Sequence, residues 1–301
     1  MLMKLYGPVL SLLASAAVLA LAAGCDREPN AIPCNSLEEV DAYFRYEPGC
    51  GMIISGHRGG MAEGYPENCI ESFEHTLRHM PSFFEIDPRM TRDSVIVLMH
   101  DGTLERTTTG EGRVKDHTWE ELSRLFLVDR QGNITRYRIP KVEDVLLWSK
   151  GKTILNFDTK DVSRDVLVPL VQRCGACNVI YTVHTPEAAL ECLALDPEAR
   201  FSIWVKNLEQ FGAYAAAGVP WSHVKVAYIV SPTMNEDLEP LREALHGVGV
   251  RCMTSTAPLQ DKIPNDRLRR ARYAREVALK PDIIETDYPL DFIGIYENVE
   301  L

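Results

Sequence analysis

The sequence lacks an excess of basic residues. Its 43 aspartates and glutamates outnumber its 32 lysines and arginines, and the formal net charge is −11. A protein that binds the phosphate backbone of nucleic acid usually carries a basic patch, so this balance argues against a nucleic-acid partner. Blocks of like charge, low-complexity tracts and short internal repeats are also missing from the sequence, and no obligatory protein partner is evident. One folded domain is the simplest expectation.

A second cysteine pair to accompany Cys174 and Cys177 is also missing. These two residues form the single C-x-x-C among the eight cysteines of the sequence. A structural zinc site of this type draws its four ligands from two such pairs, so a zinc or redox role is not favoured. We expect a local disulfide or buried thiols at these positions.

No apolar run near the start reaches the roughly 20 residues that a membrane-spanning helix needs. A shorter run, Val9 to Ala22, follows Lys4 and is the core of a predicted secretory signal peptide over residues 1–24. Its end, Leu21 to Cys25, resembles the lipobox of bacterial lipoproteins, in which the cysteine becomes the lipidated first residue. An ordinary signal peptide or a single membrane span is the alternative.

This resemblance predicts an exported protein that is anchored to the membrane of the bacterial cell envelope through a lipid on Cys25. The protein would face the periplasm or the cell surface. Residues 25–50 are then expected to form a polar tether and N-terminal extension ahead of the folded body.

Short apolar runs alternate with segments of helical periodicity along the rest of the chain. Alternation of this kind predicts an α/β fold made of parallel βαβ units, and eight units would close a (β/α)8 TIM barrel. There are nine such runs for eight strands, and we expect "VKVAYIV" to be the extra one. The runs are "MIIS", "FFEID", "VIVLM", "TILNFD", "VIYTV", "FSIWV", "VKVAYIV", "VRCMT" and "DIIETD". A doubly wound open sheet would give a similar alternation.

The connection between the second and third runs is unusually short. Only Pro88 to Ser94 separates them, whereas a parallel crossover needs a dozen or more residues. Either these runs form a hairpin, or the chain returns to the start of the next barrel strand without a helix. We expect the second case, a barrel that lacks a helix between strands 2 and 3.

Ionisable residues follow the ends of five runs, which favours the barrel over the open sheet. In a barrel the carboxyl ends of all strands meet at one rim, where active sites of this fold lie. In an open sheet the first and last strands would be far apart. The residues concerned are His57, Glu85 and Asp87, His100 and Asp101, Asp158 and Lys160, and Asp287.

Two of these acids point to the same side of one strand. Glu85 and Asp87 are two residues apart, so their side chains share a face, and Asp158 can add a third oxygen. Carboxylates crowded together repel one another unless a cation is bound between them, and oxygen ligands favour Mg²⁺ or Ca²⁺ over zinc. The competing interpretation is a salt-bridge cluster with Arg58, Arg89 or Lys160.

The remaining rim residues suit chemistry on a phosphate ester. His57 and His100 can divide the roles of general base and general acid, which an ester with a poor leaving group requires. Arg58 and Lys160 supply positive charge for a phosphate group, and the glycines at positions 59 and 60 allow the backbone to approach an anion. The set predicts phosphoester hydrolysis.

An ordered series of motifs resembles the glycerophosphodiester phosphodiesterase family. The matching blocks are "GHRGG", "PENCIESF", "FFEIDPRMTRDSVIVLMHDGTLERTTTGEG", "IPKVEDVL", "ILNFDTK" and "DIIETDYP". The resemblance implies a barrel domain over residues 51–301, with a small insertion after strand 3 at about residues 102–138. It also implies a phosphoric diester hydrolase that converts glycerophosphodiesters to sn-glycerol 3-phosphate and an alcohol with a divalent cation.

The resemblance assigns a role to each matching position. His57 and His100 match the acid and base histidines, and Glu85 and Asp87 match two metal ligands. Arg58 and Lys160 match phosphate contacts, and we expect Glu67 and Asn68 to support the loop over the site. Asp158 stands where the family usually has Glu, and "RCMTST" stands near the seventh strand where the family commonly has a Trp-Thr-Val-Asn segment.

Three other functions stay open at this point. A phospholipase-type phosphodiesterase could use the same barrel on intact lipid. An enzyme of this family could be restricted to glycerophosphoinositol, because the least matched loops build the alcohol pocket. A catalytically inactive binding lipoprotein is the third alternative, and the intact histidine and acid pairs argue against it.

Overall fold

Eight parallel strands close into a barrel in the computed structural model, which describes residues 30–230 and 238–295. Each strand pairs with the next in parallel register, and β1 pairs with β12 to close the ring. The predicted (β/α)8 barrel is therefore confirmed. The barrel strands are β1 (Ile53–Gly56), β2 (Phe83–Ile86), β7 (Leu155–Phe157), β8 (Val179–Val183), β9 (Phe201–Trp204), β10 (Val224–Val230), β11 (Arg251–Ser255) and β12 (Ile283–Thr286).

Side chains of the barrel strands alternate between the interior and the surrounding helices. Phe83, Ile154 and Ile180 pack with one another in the interior, whereas neighbours such as Phe84 and Leu155 pack with the helices outside. This period of two is a property of extended backbone. It follows that residues two positions beyond an interior residue, such as Glu85 after Phe83, also point inward and reach the carboxyl rim.

Helices cover the outside of the barrel, and most of them begin with a polar capping residue. Thr185, Asn207 and Asn265 each accept a hydrogen bond from a backbone N–H of the first turn of the helix that follows. Within the described residues the helices are α1 (Leu37–Phe44), α2 (Ile70–Leu77), α3 (Trp119–Leu122), α4 (Val142–Ser149), α5 (Arg164–Arg173), α6 (Pro186–Leu195), α7 (Leu208–Ala216), α8 (Glu239–Gly247) and α9 (Asp266–Ala278). None of the helices in the described ranges is both long and apolar enough to cross a bilayer.

The "VIVLM" run does not belong to the barrel. Its strand β4 (Ile96–Leu98) pairs antiparallel with β3 (Pro88–Met90), so the short connection forms a hairpin. Ser94 takes a left-handed φ of 64° in the turn. The expected surplus run, "VKVAYIV", is barrel strand β10, and the choice of surplus was therefore wrong.

An insertion separates the second and third barrel strands. It runs from β3 through α3 and a second hairpin, β5 (Phe126–Val128) and β6 (Ile134–Arg138), before α4 leads into β7. As predicted, no helix lies between "FFEID" and "VIVLM", but "VIVLM" is not the third barrel strand. The third barrel strand is β7, so α3 and α4 lie between barrel strands 2 and 3, and the insertion follows strand 2. It has its own apolar core, formed by Val97, Met99, Leu104, Val114, Leu122, Leu127 and Ile139.

Residues 30–50 do not form a tether. Ile32 and Phe44 are buried against the amino-terminal ends of the barrel strands, and the Phe44 ring lies 5.1 Å from that of Phe83. Asp41 on α1 lies 2.8 Å from Arg200 and 2.6 Å from Lys225. Apolar burial and these ion pairs make the segment a cover for the bottom of the barrel. The predicted signal peptide and Cys25 lie outside the described residues.

Candidate active site

The carboxyl ends of the barrel strands surround a cavity of about 790 Å³. Its wall brings together residues that are distant in sequence, as the barrel prediction required. The insertion closes one side of the cavity. The ionisable lining residues are His57, Arg58, Glu67, Glu85, His100, Asp101, Arg106, Asp129, Arg130, Asp158, Lys262, Glu285 and Asp287.

Three carboxylates meet on one side of this cavity. Glu85, Asp87 and Asp158 each offer an oxygen, and these oxygens lie within 4.8 Å of one another. Burial and the neighbouring Asp87 hold the pKa of Glu85 well above its ordinary value, which shows the cost of placing these acids together. The structure therefore brings together the three residues that the sequence predicted as metal ligands.

The donor set fits a hard divalent cation. Asp87 is fully buried, and its Oδ1 makes no hydrogen bond within the described residues. The Lys160 ammonium lies 3.0 Å from this oxygen as an ion-pair partner and 2.5 Å from Asp158 Oδ2. The other cationic groups are farther from these carboxylates: Arg58 Nε is 4.0 Å from Asp87 and His57 Nε2 is 4.0 Å from Glu85. An all-oxygen site in which the buried Asp87 Oδ1 has an ion-pair partner but no hydrogen bond within the described residues suits Mg²⁺ or Ca²⁺.

Glu67 and Asn68 contact charged groups of the site, and their support of the loop over it stays a prediction. Asn68 has a left-handed φ of 55°, a conformation that asparagine tolerates better than most residues. Its Nδ2 donates to Asp87 Oδ2 at 2.6 Å, and its Oδ1 accepts from the Asp87 backbone N–H at 3.1 Å. Glu67 accepts hydrogen bonds from Arg58 and, at 2.7 and 2.8 Å, from Arg106. Both residues therefore hold charged groups in place.

His57 forms a dyad with Asp287 across the junction of the first and last barrel strands. Its Nδ1 lies 2.6 Å from Asp287 Oδ1, and its Nε2 lies 4.0 Å from Glu85. A carboxylate only accepts hydrogen bonds, so Nδ1 carries the proton and Nε2 is left for chemistry. Burial opposes a charge on the ring, but the bond to Asp287 and the charge of Glu85 outweigh it and raise the pKa of His57 to about 10.

The turn after β1 fixes the direction of His57. Arg58 has a φ of 53°, and its backbone N–H donates to Glu85 Oε2 at 2.8 Å. A Cβ at Gly59 would lie 1.9 Å from the Phe73 ring, and one at Gly60 would lie 2.6 Å from Pro289. Close packing therefore requires both glycines, and the left-handed φ of each adds to the requirement.

His100 forms the second dyad, with the adjacent Asp101. Its Nδ1 lies 2.7 Å from Asp101 Oδ1, and Arg106 donates to both oxygens of Asp101 at 2.6 and 3.0 Å. Arg89 donates to the backbone carbonyl of His100 at 3.0 and 2.6 Å, which fixes the backbone at that point. Burial is the main cause that lowers the pKa of His100 below its ordinary value.

The two predicted phosphate contacts have different surroundings. Arg58 lines the cavity, and its Nη1 donates to Glu67 at 3.2 Å. Lys160 lies against the acids instead, and the charges of Asp87 and Asp158 overcome the effect of burial and raise its pKa. A direct phosphate contact by either residue stays a prediction.

Several residues of the site had no role in the sequence predictions. Asp101 and Asp287 were visible at the ends of apolar runs, but their pairing with the histidines needed the fold. Arg130, from the turn between β5 and β6, donates to Asp287 Oδ2 at 2.6 Å. No sequence signal indicates that this turn reaches the rim. Asp129 beside it accepts from the Gly64 backbone N–H at 2.9 Å, so it secures the "MAEGY" loop.

Comparison with known proteins agrees with the barrel fold. The model of the glycerophosphoryl diester phosphodiesterase family matches residues 57–196. A crystal structure of a glycerophosphoryl diester phosphodiesterase from Parabacteroides distasonis is 41% identical to this chain, with a TM-score of 0.87, and covers 90% of this chain and 95% of its own. This chain belongs to the glycerophosphoryl diester phosphodiesterase family.

Curated relatives match shorter stretches of this chain. A glycerophosphodiester phosphodiesterase of Bacillus altitudinis is 35% identical over 114 residues, which is 36% of this chain and 45% of that protein. The protein YqiK of Bacillus subtilis is 34% identical over 219 residues, or 68% of this chain and 87% of YqiK. The first curated relatives are matched over less than half of their length.

Proposed function

We propose that this protein hydrolyses glycerophosphodiesters to sn-glycerol 3-phosphate and an alcohol, with Mg²⁺ or Ca²⁺ as cofactor. Family membership supports the reaction class. The observation that carries the proposal is that one cavity holds two His–Asp dyads and borders three clustered carboxylates, of which Glu85 and Asp158 line it. Acid and base groups facing an oxygen-ligand site are what phosphodiester cleavage requires.

Glu85, Asp87 and Asp158 would hold the cation. A bound divalent cation would neutralise charge on the phosphoryl oxygens and lower the cost of bringing an alkoxide to phosphorus. Arg58 lies beside the same cavity and can pair with a phosphoryl oxygen once it exchanges its contact with Glu67.

The two histidines would move the protons. One Nε2 takes the proton of the neighbouring glycerol hydroxyl as that oxygen forms a bond to phosphorus. The other Nε2 gives a proton to the alcohol oxygen as its bond to phosphorus breaks, and a cyclic phosphate and a free alcohol result. Water then opens the ring with the two histidines in reversed roles. Asp287 and Asp101 keep each Nδ1 protonated, so each Nε2 stays available.

Export and lipid anchoring through Cys25 are also proposed. The support is the lipobox-like segment Leu21 to Cys25. The test is to compare the natural chain with Cys25→Ser by membrane fractionation and by mass spectrometry of the mature N-terminal peptide. A lipid-modified Cys25 is expected, and an unmodified residue would contradict the proposal.

The test of activity is a panel of substrates measured with Mg²⁺, with Ca²⁺ and with chelator. Water-soluble glycerophosphodiesters should yield glycerol 3-phosphate at least about 100-fold faster with the preferred cation than with chelator. Intact phospholipid as a second substrate class separates this reaction from a phospholipase-type reaction. Turnover of intact lipid alone, or equal rates with chelator, would contradict the proposal.

A further inference from the structure

The residues of one part of the cavity wall neither take nor give a proton in the proposed reaction. It is formed on β9 to β12 by Trp204, Tyr228, Ser255 and Glu285, which all line the cavity. We propose that this wall is a subsite for the released alcohol, and that it selects a neutral, hydroxyl-rich alcohol through Glu285. The inference rests on the proposed function and adds the class of substrate.

The direction of these side chains follows from the strands that carry them. Ile283 and Met253 pack in the barrel interior, and Glu285 and Ser255 come two residues later in β12 and β11. Both therefore point inward, above the apolar interior and towards the rim. The three clustered acids lie at the ends of β2 and β7, and only β1 separates β2 from β12, so the second alcohol of a diester bound at the acids can reach this wall.

Glu285 is a carboxylate that the metal cluster does not use. It is 7% exposed, and its side-chain partner is the Ser255 hydroxyl, which lies on the neighbouring strand in register with it. Burial raises the pKa of Glu285, whereas the charge of His57 and the Ser255 hydroxyl favour the ionised form. When ionised, the carboxylate has about four acceptor positions, so one serine leaves room for two hydroxyl donors from a ligand. A vicinal diol presents two such donors side by side.

Ser55 lies beside Glu285 among the inward-pointing side chains of the barrel and gives an independent observation. It pairs in register with Glu285 on the other neighbouring strand, and its side chain points inward like that of Ile53. Its hydroxyl is fully buried and has no hydrogen-bond partner within the described residues. Buried hydroxyls are normally paired, so Ser55, which is not itself among the cavity-lining residues, leaves an unused hydrogen-bonding group beside Glu285.

The aromatic part of the wall argues against a cationic alcohol. The rings of Trp204 and Tyr228 stack with centroids 4.6 Å apart and offer apolar surface to the C–H face of a polyol. Lys206 places its ammonium 5.1 Å from the Trp204 ring, so this ring already faces one cation. A second cation there would meet like charge. The carboxylate of Glu285 opposes an anionic alcohol in the same way.

The test compares kcat and KM across alcohols of different chemistry. The substrates are glycerophosphoglycerol and glycerophosphoinositol as linear and cyclic polyols, glycerophosphocholine as the cation, and glycerophosphoethanol as the plain alkyl ester. The wild-type protein should prefer at least one polyol over the choline ester by about tenfold or more. Glu285→Gln should reduce the polyol-to-ethyl ratio of kcat/KM by about tenfold, mainly through KM, because it loses a charged hydrogen bond.

A matched control is Glu276→Gln. Glu276 is similarly buried, at 8% exposed, but it bonds to Gln260 at 2.8 Å and lies outside the cavity lining. This variant should keep the wild-type ratio. Ser255→Ala should also lower the polyol-to-ethyl ratio of kcat/KM. This second variant tests the proposal if Glu285→Gln does not fold.

The outcomes separate this inference from the proposed function. Hydrolysis of no diester by the wild-type protein, with either cation, overturns both. Hydrolysis in which the choline ester is preferred overturns the subsite alone. An equal loss of kcat/KM on all four substrates in Glu285→Gln and Ser255→Ala also overturns it, because it would indicate a general structural or catalytic role.

Discussion

The two His–Asp dyads look alike in geometry but differ in origin. His57 and Asp287 come from the first and last barrel strands, and the ring closure brings them together at 2.6 Å. His100 and Asp101 are neighbours in sequence, and the insertion carries them to the rim with a separation of 2.7 Å. The barrel dyad is more enclosed, since the Asp287 side chain is 9% exposed and that of Asp101 is 28% exposed.

The surroundings give the two imidazoles opposite proton affinities. His57 lies near Glu85 and Glu285, and these carboxylates help Asp287 to raise its pKa to about 10. The pKa of His100 is lowered, because burial removes water from its ring while Arg58 and Lys160 add positive charge. Two histidines, each paired with an aspartate, can therefore serve one as an acid and one as a base, because the neighbouring residues set a different pKa for each.

The largest predicted effect is the loss of either imidazole. His57→Ala and His100→Ala should each reduce kcat on a glycerophosphodiester by about 100- to 10,000-fold, because proton transfer to or from the reacting oxygen is lost. Steady-state kinetics with saturating cation measure the loss. His79→Ala is the control, since His79 is an exposed residue at the end of α2. Near wild-type turnover in either site variant would contradict the assignment of that histidine.

The carboxylates of the two dyads should differ in importance. Asp287→Asn should reduce kcat by about 100-fold, because a buried amide cannot stabilise the charged imidazole. Asp101→Asn should reduce it by about tenfold, since a more exposed carboxylate is screened by water.

The control for this pair is Asp266→Asn. Asp266 is 78% exposed on its side chain, pairs with Arg269 at 2.9 Å and lies outside the main cavity lining. Its kcat should stay close to that of the wild-type protein. A larger loss in Asp101→Asn than in Asp287→Asn would reverse the comparison between the barrel dyad and the insertion dyad.

The smallest predicted effect concerns the arginines behind the carboxylates. Arg130→Gln and Arg106→Gln should each lower kcat by about threefold, since both side chains are partly exposed and act through Asp287 and Asp101. The pH dependence of kcat should shift in each variant, because a carboxylate that loses its arginine stabilises its imidazolium more strongly. An unchanged pH profile in both would show that the arginines do not tune the dyads.

The sequence predicted the barrel side of the site better than the insertion side. Residues such as His57, Glu85 and Asp87 follow barrel strands, where the period of two fixes the direction of a side chain and the closed ring fixes its neighbours. For these residues the motif and the physical pattern agree, and the three predicted metal ligands do meet.

The positions of the residues in the insertion could not be predicted in the same way. An apolar run such as "VIVLM" has the same signature in a hairpin as in a barrel strand, so its place was assigned wrongly. The contact from Arg130 to Asp287 depends on how the β5–β6 hairpin docks, which local patterns do not encode. Likewise, α1 was not predicted because its segment was interpreted as a polar tether, although Val40 and Phe44 are spaced to share one buried face.

The central claim is that two similar dyads perform different proton transfers. The direct measurement is the release of p-nitrophenol from a p-nitrophenyl ester of glycerol phosphate by His57→Ala and His100→Ala. Nitrophenolate leaves without protonation. The rate deficit relative to the wild-type protein should therefore be at least about tenfold smaller on this ester than on a natural diester, but only in the variant that lacks the proton donor. Recovery in one variant but not in the other is the predicted result. Equal recovery in both, or in neither, would contradict the division of roles.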